Sequence, residues 1–232
     1  MKNPLMTPST LGTQHARKTR RTHLAVALLV ALAALSACGS NDLVILPSEQ
    51  IADGWSQFRA GNYERADAFF LAALATDSTL AEAHSGLGWS RAFAGDLDAA
   101  RDNFTRALIF APADTDALAG AAAVAHALGN RADAITNARS AVERDLAWTF
   151  AHRAGIDVED LRLILAQALA LEGSSRYAEV QIELDVLNPD NGLTPGNASS
   201  WVVGSAVYAS YGEALLAALE DVEVRVGAGI PR

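Results

Sequence analysis

The chain has 232 residues with 18 basic and 27 acidic side chains, a formal charge of −9, and half of it is hydrophobic although only 6% is aromatic. It is too apolar and too sparsely charged to be disordered throughout, its single cysteine is no disulfide framework, and it has no net positive charge to hold nucleic-acid phosphates. Alanine, with 48 residues, fills the gap; it is the best helix former and a poor strand residue, so an all-α fold with small residues at helix contacts is expected.

The first 37 residues carry Lys2, Arg17, Lys18, Arg20 and Arg21 and no acid. The uncharged run Leu24 to Leu35 follows; at about twelve residues it is shorter than the roughly twenty a membrane-spanning helix needs. A basic stretch, a short apolar run and small residues read as a bacterial export signal over 1–37. Leu35-Ser36-Ala37-Cys38 resembles the lipobox of bacterial lipoproteins. The resemblance implies that Cys38 receives diacylglycerol, that cleavage precedes it, and that the new amine is acylated, typically with palmitate. Several acyl chains anchor stably, at about 0.8 kcal/mol per buried CH₂. The absence of Asp at Gly39 resembles lipoproteins sorted to the outer membrane, so the expected place is the periplasmic face of the outer membrane in the bacterial cell envelope. Thr19-Arg20-Arg21-Thr22-His23-Leu24 also resembles a twin-arginine signal, with His23 where Phe is preferred, and simple Sec export is the expectation. Residues 38–46 are the lipidated tether. No lysine remains beyond residue 37, and the acidic body disfavours anionic lipid and nucleic acid.

Aligned with itself at an offset of 34, the chain repeats. Gly61, Gly95 and Gly129 coincide, as do Ala66, Ala100 and Ala134. So do Ala73, Ala107 and Ala141, the series Phe70, Phe104, Ala138 and Gly54, Gly88, Ala122, and the pair Trp55, Trp89. Three contiguous windows follow: 47–80, 81–114 and 115–148. Leu87-Gly88, Gly95-Asp96-Leu97, Ala100, Phe104, Ala107 and Pro112 of the middle window resemble the tetratricopeptide repeat (TPR). The outer windows depart from its pattern, with Ser78 and Leu146 in place of the closing Pro, Asp53 in place of Leu, and Arg131 in place of Tyr. The resemblance implies a right-handed α-solenoid of helix pairs, each of which must bury its apolar face on the next. Small residues such as Gly88, Ala100 and Ala107 allow close helix contacts, and Leu87 and Phe104 fill the space between pairs. The spacing predicts helices at about 48–60, 63–76, 81–94, 97–110, 115–128 and 131–145.

Residues 147–157 break the phase, and Trp148 and Phe150 alternate with small residues. An extended linker is expected there, its aromatics packed under the third repeat. Asp157 reads as a helix N-cap with Asp160 completing a capping box, ahead of a helix at about 158–172 and a second from Tyr177 toward Pro189. Residues 149–189 thus form a linker and a divergent fourth repeat. Residues 190–232 are read as a Pro/Gly/Asn loop and a C-terminal capping helix from Ser199 or Ser200 to about Leu219, burying Trp201, Val202, Ser205, Tyr208, Leu215 and Leu219. Val222–Val226 alternates like a short strand.

His84, His126 and His152 show no metal-ligand spacing with Cys or acids, so no metal and no cofactor are expected. Asp96/Asp98 and Asp114/Asp116 stand where helix starts want caps. No phosphate loop or nucleophile elbow is present, and no enzyme is expected. In TPR proteins the first helix of each pair lines a concave groove, and the resemblance places Trp55, Phe58, Arg59, Trp89, Phe93 and His126 on that face. Trp and Arg are frequent interface anchors. The expected function is protein–protein interaction with an envelope protein or peptide segment, as a scaffold or assembly factor. A carrier or sensor of a small apolar ligand is the alternative. The groove can also be filled from within, by the C-terminal helix with Trp201 and Tyr208.

Overall fold

The computed structural model describes residues 46–226; the export signal, Cys38 and most of the tether lie outside them. Six helices fill the three windows: α1 (Pro47–Arg59), α2 (Tyr63–Thr76), α3 (Ala81–Ala94), α4 (Leu97–Phe110), α5 (Thr115–Ala127) and α6 (Arg131–Arg144). Pro47 opens α1, where its missing N–H costs nothing. Asp96 caps α4 by accepting from the Ala99 N–H at 3.2 Å, and Asp114 caps α5 by accepting from the N–H groups of Asp116 and Ala117. Asp96 and Asp114 thus act on helix termini, while Asp98 pairs with Arg101 and the Asp116 carboxylate takes the Trp148 indole N–H. Gly95 ends α3 with φ +87°, and the N–H of Asp96 reaches back to the Arg91 carbonyl at 2.9 Å. The same turn recurs 34 residues away on either side, with Gly61 and Gly129 in the same backbone region.

Pair stacking rests on an aromatic held between glycines. The Phe70 ring of α2 lies against Gly54 of α1 and Gly86 of α3, and the Phe104 ring of α4 lies against Gly88 of α3 and Gly120 of α5. A Cβ on Gly54 would stand 2.6 Å from Phe70, and one on Gly88 2.7 Å from Phe104. Both phenyl rings are fully buried. In the third pair Ala138 replaces the phenylalanine and Ala122 replaces the glycine, so each removed ring is matched by an added methyl.

A fourth pair follows. Asp157 accepts from the Glu159 N–H at 2.9 Å, while Asp160 accepts from the Asp157 N–H at 3.0 Å, so the expected capping box starts α7 (Val158–Ala170). A 3₁₀ turn at Ser174–Arg176 leads into α8 (Tyr177–Leu187). Arg162 of α7 meets Glu183 of α8 at 2.6 Å with both side chains largely buried, and Arg139 of α6 meets Glu179 of α8 at 2.6 Å.

The C-terminal region departs from expectation. Its last helix, α9, spans Tyr211–Val226 and not 199–219. Ahead of it β1 (Val202–Val203) and β2 (Ala206–Val207) pair antiparallel across Gly204-Ser205. Val202 and Ser205 are exposed, and Trp201 and Tyr208 are half-buried outside any helix. The expected strand at Val222–Val226 is the end of α9, because Leu215, Ala218, Leu219 and Val222 recur at helical spacing and are all buried. This helix packs on α7 and α8 and caps the stack.

Candidate functional site

The first helices of the first two pairs each place an indole toward the next repeat. Trp55 Nε1 of α1 donates to Glu82 Oε1 of α3 at 3.2 Å. Trp89 Nε1 of α3 donates to the Asp116 carbonyl of α5, also at 3.2 Å. Phe58 and Phe93 complete the row, ring centroids 5.5 Å apart. Of the six residues expected on the groove, five (Trp55, Phe58, Arg59, Trp89 and Phe93) converge. His126 does not join them. It lines a separate cavity of about 420 Å³ with Ala127, Gln167, Leu171, Leu216, Glu220 and Glu223, between α5, α7 and α9. Cys38 lies outside the described residues.

The aromatic row is covered by the chain itself. Residues 148–158 form a hairpin in which the Phe150 N–H donates to the Ile156 carbonyl at 2.9 Å and the Val158 N–H to the Trp148 carbonyl at 3.0 Å. Gly155, at φ +80°, serves its bend. Phe150 stacks on Trp89 at 4.3 Å and meets Trp55 and Phe58 edge-on at 6.0 and 5.9 Å. Trp148 Nε1 donates to Asp116 Oδ1 at 2.7 Å. Trp55, Phe58, Trp89, Trp148 and Phe150 are all at most 5% exposed. The filler is therefore this hairpin and not the C-terminal segment with Trp201 and Tyr208. Trp201 instead donates its indole N–H to the Thr194 carbonyl at 3.1 Å.

His152 lies flat on Trp55, 3.7 Å between ring centroids and 1° between planes. Its Nδ1 takes a hydrogen bond from the Arg59 guanidinium at 3.1 Å. Burial, helped by the Arg59 charge, pushes the imidazole down to about 4, so it is neutral at pH 7 and accepts. Burial raises the Asp116 carboxyl above its ordinary value, against the bond from Trp148 and with help from the nearby Asp114 and Glu82 charges. Arg153 lies over the Phe93 ring, 4.3 Å from its centroid, and donates to Tyr63 Oη at 3.0 Å. Beside this corner a cavity of about 450 Å³ runs along α1, lined by Ser48, Ile51, Ala52, Trp55, Arg59, Leu80, Glu82 and His152.

Sequence reasoning missed His152 and Arg153 as members of this face. The alternation of Trp148, Phe150 and His152 was the one signal for it, since alternate residues of an extended segment share a side. Their destination was not readable, because His152 reaches back 93 residues to Arg59 of α1.

No protein-family model matches the chain, and no curated protein matches it. Among solved structures it is similar to YrrB, described as a TPR protein with an unusual peptide-binding site, at 21% identity and a TM-score of 0.56. The match covers 76% of this chain and 86% of that one. The fold is a TPR-type α-solenoid. In this solenoid the first helices of the first two pairs carry the aromatic row, and the break after the third repeat supplies the cover. Among the described residues no helix is long and apolar enough to cross a membrane.

Proposed function

We propose that this is a lipid-anchored protein of the bacterial cell envelope that binds other proteins through its inner helix face, as a non-catalytic scaffold or assembly factor. The observation that carries the interaction reading is the seated hairpin: the inner face of this TPR solenoid holds a stretch of extended polypeptide on stacked aromatics. An open cavity along α1 borders that stretch at His152. YrrB, the similar TPR protein, has a peptide-binding site, which agrees with this use of the fold. Anchoring rests on the Leu35–Cys38 tetrapeptide and the basic, then apolar, segment before it, and Gly39, where Asp is absent, favours the periplasmic face of the outer membrane. A small apolar ligand is the weaker reading, because Phe150 and His152 already occupy the aromatic faces it would need.

Two experiments test this. Palmitate labelling and membrane fractionation of wild type and Cys38→Ser test the anchor: the variant is expected to lose label and leave the membrane fraction. Affinity capture from detergent-solubilised envelopes tests the surface. Ala52→Trp, which obstructs the α1 cavity at an exposed position, is expected to lose protein partners while helicity is retained. Partners kept by this variant would move the interaction off this face.

A further inference from the structure

Several arginines of this acidic body face carboxylates, among them Arg91 with Asp67, Arg139 with Glu179 and Arg162 with Glu183. At the corner of α1 and α2 two do not. Arg59 is held by the imidazole of His152 at 3.1 Å, and Arg153 by the Tyr63 hydroxyl at 3.0 Å and the Phe93 ring. These holders are neutral, so both guanidinium groups are oriented with their charge unneutralised. Among the described residues neither has a carboxylate partner. Each guanidinium has five N–H donors, of which one is used in each of these bonds. Both side chains are exposed. Arg59, the Trp55–His152 stack, Ile51 and Leu80 line the α1 cavity together with Glu82, whose carboxylate accepts from the Trp55 indole N–H. The Arg59 guanidinium beside this apolar wall, with Arg153 on the adjoining hairpin outside the cavity lining, matches a carboxylate-bearing segment next to an apolar side chain.

We propose that this corner is a receptor for an acidic, partly apolar peptide segment. Arg59 and Arg153 take its carboxylates, and the wall of Ile51, Leu80 and the Trp55–His152 stack takes an adjacent apolar side chain. The inference rests on the reading of the inner face as protein-binding and gives the partner its chemistry.

The test is fluorescence anisotropy on the full chain in detergent, with a labelled peptide of alternating Glu and Leu and its Gln/Leu and Lys/Leu counterparts. The Glu/Leu peptide is expected to bind at least about tenfold more tightly than the Gln/Leu one, and the Lys/Leu peptide more weakly still. Arg59→Gln with Arg153→Gln is expected to weaken the Glu/Leu peptide by about tenfold or more. Arg106→Gln, at another exposed arginine, leaves it unchanged. Added salt should weaken binding progressively. Equal affinity for the Glu and Lys peptides, or no effect of the double substitution with folding intact, overturns the proposal. Inorganic phosphate competing as well as the peptide reduces the corner to a plain anion site and overturns it too. Envelope partners captured equally by wild type and the double variant would leave the scaffold reading standing without this site. Specific peptide binding without captured partners would leave the site standing without the scaffold.

Discussion

The imidazole of His152 lies on the indole of Trp55, 3.7 Å away and parallel within 1°, although 97 residues separate them in the chain. This contact closes the hairpin over the first two repeats and makes the inner face partly a core. Trp55→Ala or Trp89→Ala would consequently remove buried structure rather than probe a free surface, at a cost of about 3–5 kcal/mol each.

The same logic applies to the cover. Phe150 is 3% exposed and touches Trp55, Phe58 and Trp89. Phe150→Ala is expected to destabilise the fold by about 3–5 kcal/mol. Ala151→Ser, at an exposed position of the same hairpin, should change stability by less than about 0.5 kcal/mol. Urea unfolding followed by circular dichroism compares them. A Phe150→Ala protein as stable as wild type would mean the hairpin is a loose flap.

His152 should make stability depend on pH. Its folded pKa is lowered to about 4 from an ordinary 6.5. Between those values the unfolded chain binds a proton that the folded chain does not, so stability falls as pH drops through that window. Because His152 is only half-buried, the contribution is on the order of 1 kcal/mol after discounting for solvent screening. His152→Gln removes this term, and the difference between the two proteins' stability–pH curves between pH 7 and 4 isolates it from the carboxylates. Parallel curves would show that the imidazole titrates normally.

The glycine–phenylalanine contacts predict a sign. In an exposed helix, Gly→Ala gains up to about 1 kcal/mol. Gly88→Ala should instead cost about 1–3 kcal/mol, because its methyl meets the Phe104 ring. With Phe104→Ala, the pairing that Ala122 and Ala138 already show in the third repeat, the glycine substitution should lose most of its penalty. A double-mutant cycle by chemical denaturation measures the coupling. Strict additivity would mean the ring moves aside freely.

The repeated part of the fold was legible because each 34-residue window carries its own small and large residues at fixed places, and Gly95 and its counterparts mark the turns. The helix bounds from 63 to 110 follow directly from that register. Beyond residue 148 the register is lost. The small hairpin at Val202–Val207 carries its own Gly204-Ser205 turn signal, but Trp201 and Tyr208 also fit a helical stripe, and tertiary contacts chose between them. The alternation in Val222–Val226 misled for the same reason: five residues hold a strand period as easily as the end of a helix whose Leu215, Leu219 and Val222 are already buried. At the site, the first-helix aromatics could be placed from the repeat frame alone. Their burial could not, since it depends on the long-range return of Phe150 and His152.

The proposed function requires proteins to dock on the inner face beside the hairpin. Site-specific photo-crosslinking in the envelope probes it, with a photoreactive phenylalanine analogue placed at Ala52 beside the α1 cavity and at Thr136 on α6 as an exposed control. Discrete crosslinked protein adducts are expected from Ala52, and none of the same mass from Thr136. Adducts from Thr136 alone would contradict it.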